Sequence, residues 1–462
     1  MTRSRHINIL GAGQCGTLLA TMLAQEDFSV RLYERNGDPR SASTAAGRSI
    51  NLALAARGIN ALKKAGVLTR VEPLLVPMRG RMVHAIDGST ELLPYGQRDD
   101  EQIYSASRGE LNKILLDAAE DHDNVEIRFA QAAVSYDASI ARVQMCGIGS
   151  DSNFEIEAAP VIAADGAGSV IRASLHQSDI VNATEDLLPH GYKELAIPAG
   201  PGGTFRLEPD ALHIWPRGGF MLIALPNPGG DFTLTLFLPN KGETSFEALA
   251  DEQTAAAFFE AHFPDAVSLI PDYAHALVNN PLGLLGTVRC SHWHDQGNVL
   301  LIGDAAHAVV PFHGQGMNLA FEDCVVLDRI IKTSDADWSE VFKRFEDEQL
   351  ANANAIADMA LENYVEMRDT VRDPKFVLRK ALAFELERRQ PERFIPRYSM
   401  VMFHADIPYS VAQQRGVLQN ALLEEFTRNV DDLDDVDLDA ATAAAVERLT
   451  LIETVRDATI AV

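Results

Sequence analysis

The sequence predicts an α/β fold in which a parallel sheet is joined by a mainly antiparallel β domain and a helical C-terminal region. Three observations carry this. The chain opens with a strand, a glycine turn, a helix and a second strand. From about residue 190 to 300 short β-rich runs are separated by Pro, Gly and Asn. After residue 315 apolar residues recur at helical spacing.

Residues 6–10, HINIL, read as a strand; GAGQCGTLLATMLAQE follows as a glycine turn opening a helix, and SVRLYER at 29–35 is the next strand. Such a βαβ unit implies a Rossmann-like parallel sheet covered by helices. In residues 105–120, SASRGELNKILLDAAE, Ser107 and Glu110 stand at capping-box spacing, and Leu111, Ile114, Leu115 and Ala118 form one stripe. That pattern predicts a helix. Residues 123–165 read as strands returning to the first sheet, ending at PVIAADGAGSVIR.

The run ALHIWPRGGFMLIALPNPGGDFTLTLFLPN predicts an antiparallel sheet, interrupted by a helix near 245–262. GNVLLIGDAAH then reads as a strand rejoining the first domain, so the nucleotide domain is discontinuous in sequence. Helices are expected at 315–332, 337–369, 374–389 and 411–427, with Pro374, Pro391, Pro396 and Pro408 as breakers. An acidic linker and one more amphipathic helix complete the chain. The expected division is 1–180 for the first part of the nucleotide domain and 181–295 for the antiparallel domain. Residues 296–370 bring the returning part and a long helix, and 371–462 form the helical end.

Forty Lys plus Arg stand against 66 Asp plus Glu, a formal charge of -26 over 462 residues. That field repels phosphate polymers and anionic lipid, which argues against nucleic acid as a partner. A small anionic ligand stays compatible, because a buried arginine sets the potential of its own pocket. Cys15, Cys146, Cys290 and Cys324 show neither a CxxC pair nor metal-ligand spacing, so a reduced, cytoplasmic protein is expected. The first strand begins within ten residues, without a secretory apolar run, and no stretch approaches the ~18 apolar residues of a spanning helix.

In GAGQCG, Gly11 permits the tight turn, Gly13 lets backbone approach a pyrophosphate, and Gly16 brings helix against sheet. Glu34, at the end of the next strand, is placed to hold a ribose diol, which favours FAD or NAD over NADP at this site. Only one such fingerprint occurs. A second dinucleotide therefore either plays no part or visits transiently. In VLLIGDAAHAVVPFHGQGMNLAFED, 299–323, Asp304 ends a strand where ligands of parallel sheets collect. A helix N-cap is the alternative reading of Asp304. Gly314 and Gly316 precede a helix whose terminal amides can face a phosphate or an electron-rich ring. His307 and His313 are six residues apart across Pro311 without a ligand cluster, which argues against a metal pair.

GAGQCG at 11–16, AADGAGSVIR at 163–172 and LIGDAAHAVVPFHGQG at 301–316 together resemble the three signatures of the flavin-dependent aromatic hydroxylases of the hydroxybenzoate-hydroxylase type. Within that family the chain is similar to the soluble bacterial branch acting on kynurenine. The segments GRSINLALAARG (47–58), MRGRMVH (78–84), LPYG (93–96), PHGYKEL (189–195), ALENYVEM (360–367) and RQPERFIPRYSMVMF (389–403) carry this likeness, which runs from about residue 6 to 425.

The resemblance implies NADPH- and O2-dependent 3-hydroxylation of L-kynurenine, with bound FAD and NADPH as a transient co-substrate. It implies Arg48 and Arg108 on the FAD, Glu34 on the adenosine ribose, and Asp304 on the ribose and pyrophosphate side. Asp165 and Gly166 match the motif near FAD and the path of NADPH. Arg81, Tyr95, Asn363 and Tyr398 match anchors for the amino-acid group of kynurenine. Phe237, Phe312, His313 and Met367 match positions around the aryl ring and flavin.

Residue type alone favours neither Arg79 nor Arg81 as the carboxylate-binding arginine; the choice of Arg81 rests on the family match. Without that match Met367 and Tyr364 read as ordinary core. No side chain stands out as a proton abstractor, so no catalytic residue is assigned. Gln14 and Cys15 depart from the smaller residues of the usual glycine turn. The C-terminal segment is too interrupted by charge to act as the hydrophobic anchor of the membrane-bound branch. The sequence is compatible with a homodimer.

Overall fold

The computed structural model describes residues 4–41, 51–150, 152–157, 160–370 and 373–453. The chain forms two compact units.

The first unit comprises Met1–Leu75, Ala106–Leu188 and Gly286–Ala357. Its six-stranded sheet runs in the order His294–Asp295, Val299–Leu301, Val161–Ala163, His6–Leu10, Ser29–Tyr33 and Val125–Arg128. All neighbours are parallel except the His294–Asp295 edge, which is antiparallel. Helices on both faces explain the nearly unbroken apolar strands: Ile7, Ile9, Leu10, Val161, Ile162 and Ala163 are all buried. Gln14–Gln25 follows the first strand directly, so the helix begins at the sheet's C-terminal edge.

Strands Gln131–Asp137, Arg142–Gly147 and Asn153–Glu157 do not rejoin that sheet as the sequence suggests. They form a separate antiparallel meander, with a bulge at Gln144/Met145. Tight turns bound them, and Asn153–Glu157 alternates exposed and half-buried residues, a pattern of a one-sided sheet. Of this region only Val125–Arg128 and Val161–Ala163 enter the parallel sheet.

The second unit comprises Val76–Ser105, Pro189–Leu285 and Asp358–Val462. At its centre Phe232–Pro239, Met221–Pro226 and Ala211–Pro216 pair antiparallel as expected. The hairpin Gly80–His84 and Thr90–Pro94 then joins with Gly80–His84 parallel to Ala211–Pro216, in register Arg81 to Leu212. Residues 76–105, read from sequence with the nucleotide domain, thus pack in the second unit. Trp215, Phe232, Phe259 and Phe263 fill the core under this sheet. At ~1.5–3 kcal/mol for each large side chain removed from water, that cluster is a main stabilising element.

The helix near 245 starts only at Glu252, where Asp251 and Thr254 form a full capping box. At Arg108–Glu120 the expected box is half formed: Ser107 Oγ accepts from Glu110 N, while the Glu110 carboxylate turns to Lys113 Nζ at 2.8 Å. The helical end comprises Pro374–Arg389, Arg397–Phe403, Tyr409–Thr427 and Leu438–Arg448, around Leu382, Leu386, Phe394 and Leu422. Arg397–Phe403 falls within a stretch the sequence left unassigned. Among the described residues no helix is long and apolar enough to cross a membrane.

Candidate functional site

In the first unit the glycines of the opening turn have three different settings. Gly11 adopts φ +99°, and a Cβ there would meet Ala164 O at 2.3 Å; one at Gly16 would meet Gly11 O at 2.0 Å. Gly13 has nothing within 4 Å of its missing Cβ and is exposed. It is the N-cap of Gln14–Gln25, whose first turn has neither a side-chain cap nor an acidic residue. Unpaired N–H groups and the positive helix end therefore face open space, the setting an anion requires.

Glu34 lies beside this turn. One carboxylate oxygen accepts from Ala12 N at 3.0 Å, the other from Asn36 N and Nδ2 at 2.8 Å each. Gln14 Nε2 donates to Arg108 O at 3.1 Å, and Cys15 Sγ lies 3.8 Å from Cys324 Sγ, so both departures from the usual motif are packed. Arg108 is exposed at the first position of its helix. Arg48 lies outside the described residues.

Asp165 follows the strand Val161–Ala163, with Gly166 at φ +82°. Its Oδ2 accepts from Val170 N at 3.0 Å, whereas Oδ1 is buried without a hydrogen-bond partner. Burial raises its carboxyl above the usual range. Such an atom calls for a donor from a bound group. Arg172, itself buried, ties this turn to the next motif: Nη1 donates to Ala305 O at 2.9 Å and Nη2 to Ala167 O.

Asp304 opens the short helix Asp304–His307, but the N-cap is Gly303, at φ +60°, and no side chain caps this helix. The N-cap reading of Asp304 does not hold. Beneath it, buried Asp323 accepts from Gly303 N at 3.1 Å, His307 Nε2 at 2.7 Å and Gln349 Nε2 at 3.0 Å. Burial opposes charge on His307, and the Asp323 carboxylate outweighs it, holding the imidazole above its usual range.

Phe312 and His313 are buried in the turn Pro311–His313, which ends at Gly314, φ +67°. Gly316 begins the helix Gly316–Thr333. Asn318 fixes this turn: Oδ1 accepts from Ala55 N and Gly58 N, and Nδ2 donates to Ala53 O and Gly314 O. The open helix end at Gly13, the orphaned Asp165 oxygen and the uncommitted Asp304 at the sheet's C-terminal edge together fit a dinucleotide.

The second unit holds a different chemistry. Arg81, in mid-strand, is 7 % exposed, while Arg79 is exposed. Nη1 of Arg81 donates to Glu366 Oε1 at 2.8 Å and Nη2 to Asn363 Oδ1 at 3.3 Å. The rings of Tyr95 and Tyr398 stack at 5.3 Å, and the Arg81 guanidinium carbon lies 5.9 and 5.3 Å from their centroids. Asn363 Nδ2 donates to Met367 Sδ at 3.3 Å. Glu366 and Met367 belong to the π-helical turn Glu366–Thr370, which ends the long helix Trp338–Val365.

Burial opposes the Arg81 charge and Glu366 restores it, so the guanidinium is held above its usual range; burial likewise raises both phenols. Lys380 donates to Pro94 O at 2.5 Å and is pushed down to about 8, first by burial and then by Arg81. Phe237, on the strand Phe232–Pro239, is buried beside Tyr192, ring centroids 6.2 Å apart. A cation, a carboxylate, a carboxamide and two phenols converge here, a set complementary to an α-amino acid zwitterion.

A family model described as an FAD binding domain matches residues 5–359. A kynurenine 3-monooxygenase of Stenotrophomonas maltophilia (strain K279a) is 48% identical over 451 residues, 97% of this chain and 98% of the relative. The chain belongs to the kynurenine 3-monooxygenase family. A second member, from Myxococcus xanthus (strain DK1622), is 45% identical over 97% of this chain and 96% of its own. Among solved structures, 2-methyl-3-hydroxypyridine-5-carboxylic acid oxygenase aligns with TM-score 0.63 at 20% identity, covering 80% of this chain and 94% of that one. A p-nitrophenol 4-monooxygenase from Pseudomonas putida DLL-E4 aligns with TM-score 0.64 at 15% identity, covering 91% and 98%. Both agree in fold.

In this member of the kynurenine 3-monooxygenase family, Gly11, Gly13, Gly16, Glu34, Asp165, Gly166, Asp304, Gly314 and Gly316 lie in the first unit, with Arg108, Phe312 and His313. Arg81, Tyr95, Phe237, Asn363, Met367 and Tyr398 lie in the second, and all of these but Phe237 belong to the cluster around Arg81. Sequence reasoning missed Glu366, Lys380, Arg172, Asn318 and Asp323. Glu366 was within reach, three residues after Asn363 on a helix. Nothing in the sequence singles out Lys380.

Proposed function

We propose that this chain hydroxylates L-kynurenine at ring position 3, consuming NADPH and O2 on bound FAD. The observation that carries the reading is the ion pair of buried Arg81 with half-buried Glu366, flanked by Tyr95, Tyr398 and Asn363, in a chain with near-full-length kynurenine 3-monooxygenase relatives. The chemistry FAD supplies when bound is hydride acceptance from NADPH and activation of O2.

In the first unit the amides at Gly13 hold the pyrophosphate, with Gly11 and Gly16 keeping the turn tight. Glu34 takes the adenosine ribose, Asp304 and Asp165 accept from cofactor hydroxyl or N–H groups, and the Gly166 amide donates to the cofactor. Arg108 and the Gly316 amide offer further donors to the cofactor, and Gly314, whose own N–H is held by Pro311 O, turns the chain ahead of Gly316. In the second unit Arg81 grips the substrate carboxylate and Glu366 the ammonium, so that substrate divides an ion pair already formed. Tyr95 and Tyr398 donate phenolic hydrogen bonds, and Asn363 orients Arg81. Phe237 and Met367 offer apolar surface to the aryl ring and exclude water from it.

The aniline nitrogen of kynurenine makes its ortho carbon electron-rich, so the protein's part is orientation, with no side-chain base. A cytoplasmic location belongs to the same reading, supported by the four free cysteines. NADPH oxidation measured with L-kynurenine, a hydroxybenzoate and anthranilate tests it. Coupled turnover is expected with L-kynurenine; coupled turnover with either acid and none with L-kynurenine would overturn it.

A further inference from the structure

In the first unit, the edge of the parallel sheet carries a group with no part in the chemistry above. We propose that His292, His294 and Glu346 form a binding site for a late first-row divalent cation of the Zn2+ type.

The three side chains come from two elements: SHWHDQ at the edge strand His294–Asp295, and the helix Trp338–Val365. One ligand-capable atom of each lies within 4.8 Å of the other two, the one such group of three among the described residues. Residues two apart on extended chain project to the same face, which is why His-x-His brings two imidazoles together. Their ring centroids are 4.1 Å apart.

His294 supplies the second, independent observation. It is 7 % exposed, its Nδ1 contacts Gln296 O at 3.1 Å, and its Nε2 is buried with no hydrogen-bond partner. A carbonyl on Nδ1 fixes the proton there, which leaves Nε2 as a bare lone pair. That is the arrangement that orients metal-binding histidines.

Glu346 is anchored in a similar way. Its Oε2 accepts from Trp293 N at 2.5 Å, and its carboxylate lies 2.8 Å from His292 Nδ1. Two donors sharing a tetrahedral ion at ~2.0–2.1 Å stand roughly 3.3 Å apart, so that pair needs to open by only about half an ångström. Trp293, between the histidines, is fully buried against Phe345 and His307, which holds the backbone of the site. The His292 side chain is 35% exposed and that of Glu346 12%, so an ion can enter and keep water in the fourth position. Two imidazoles, one carboxylate and water suit Zn2+, Co2+ or Ni2+ over Mg2+ or Ca2+.

Tag-free holoenzyme, stripped with a chelator, is titrated with Zn2+ in competition with a chromophoric chelator, and Co2+ is used as a spectroscopic substitute. One saturable Zn2+ per chain is expected, with a four-coordinate Co2+ spectrum. His292→Asn, His294→Asn and Glu346→Gln should each weaken Zn2+ binding tenfold or more. FAD content and melting temperature identify which variants are folded; if His294→Asn is not, the other two decide. The absence of a saturable site, or binding unchanged in the folded variants, would overturn the proposal.

Discussion

Arg81→Met isolates the proposed clamp. A hydrogen bond to a charged partner contributes ~1.5–3 kcal/mol, and a guanidinium grips a carboxylate with two. Loss of that fork costs about 3 kcal/mol at the low end, on the order of a hundredfold in Kd. Removing Arg81 also strands Glu366, whose side chain is 26% exposed; that penalty falls on the free protein and stays well below the ~3–5 kcal/mol of a fully buried orphan charge. Isothermal titration gives the Kd for L-kynurenine, and absorbance of purified protein gives FAD per chain. Kd should rise about a hundredfold with FAD content unchanged, because the glycine turn belongs to the other unit. Glu366→Gln supplies the converse: L-kynurenine binding weakens, while an analogue lacking the α-amino group binds variant and parent alike. An unchanged Kd in Arg81→Met would refute the assignment of Arg81, and equal weakening for both ligands in Glu366→Gln that of Glu366.

The glycines separate by their surroundings: Gly13→Ala should fold with unchanged apoprotein melting temperature but lose FAD affinity, whereas Gly16→Ala, facing backbone at 2.0 Å, should lose stability outright; thermal melts with and without FAD check both. Asp323→Ala leaves Gly303 N, His307 and Gln349 without their shared acceptor and should cost ~3–5 kcal/mol in urea unfolding, at the scale of a broken buried pair. Lys380, at about 8 in the folded state against its ordinary 10.5, binds fewer protons than in the unfolded chain between those values. Its contribution to stability therefore rises with pH across that window. Lys380→Met should flatten the rise, read as the change in urea midpoint between about pH 8 and about pH 10.

The parallel sheet was legible because both its faces are covered, which makes its strands continuous apolar runs, and because the glycine turn has a fixed spacing. The hairpin 80–84 with 90–94 was not, since its pairing with Ala211–Pro216 joins residues more than a hundred positions apart and no local pattern encodes that. The meander 131–157 was read as strand but placed in the wrong sheet, because strand periodicity carries no information on partners. Of the candidate site, Glu34 and Asp304 were read from their position at strand ends, and Asp165 only from the family resemblance. Arg81 stood level with Arg79 until burial separated them. Glu366 and Lys380 are surface residues by type, and only the π-helical turn and the packing around Arg81 place them at the cluster.

The most direct measurement is mass spectrometry of the product formed from L-kynurenine, NADPH and 18O2 by the FAD-loaded protein. The expected result is 3-hydroxykynurenine carrying one 18O atom. NADPH consumption with kynurenine returned unchanged, or a product without the label, would contradict the reading of the Arg81 cluster as the clamp of a kynurenine hydroxylase.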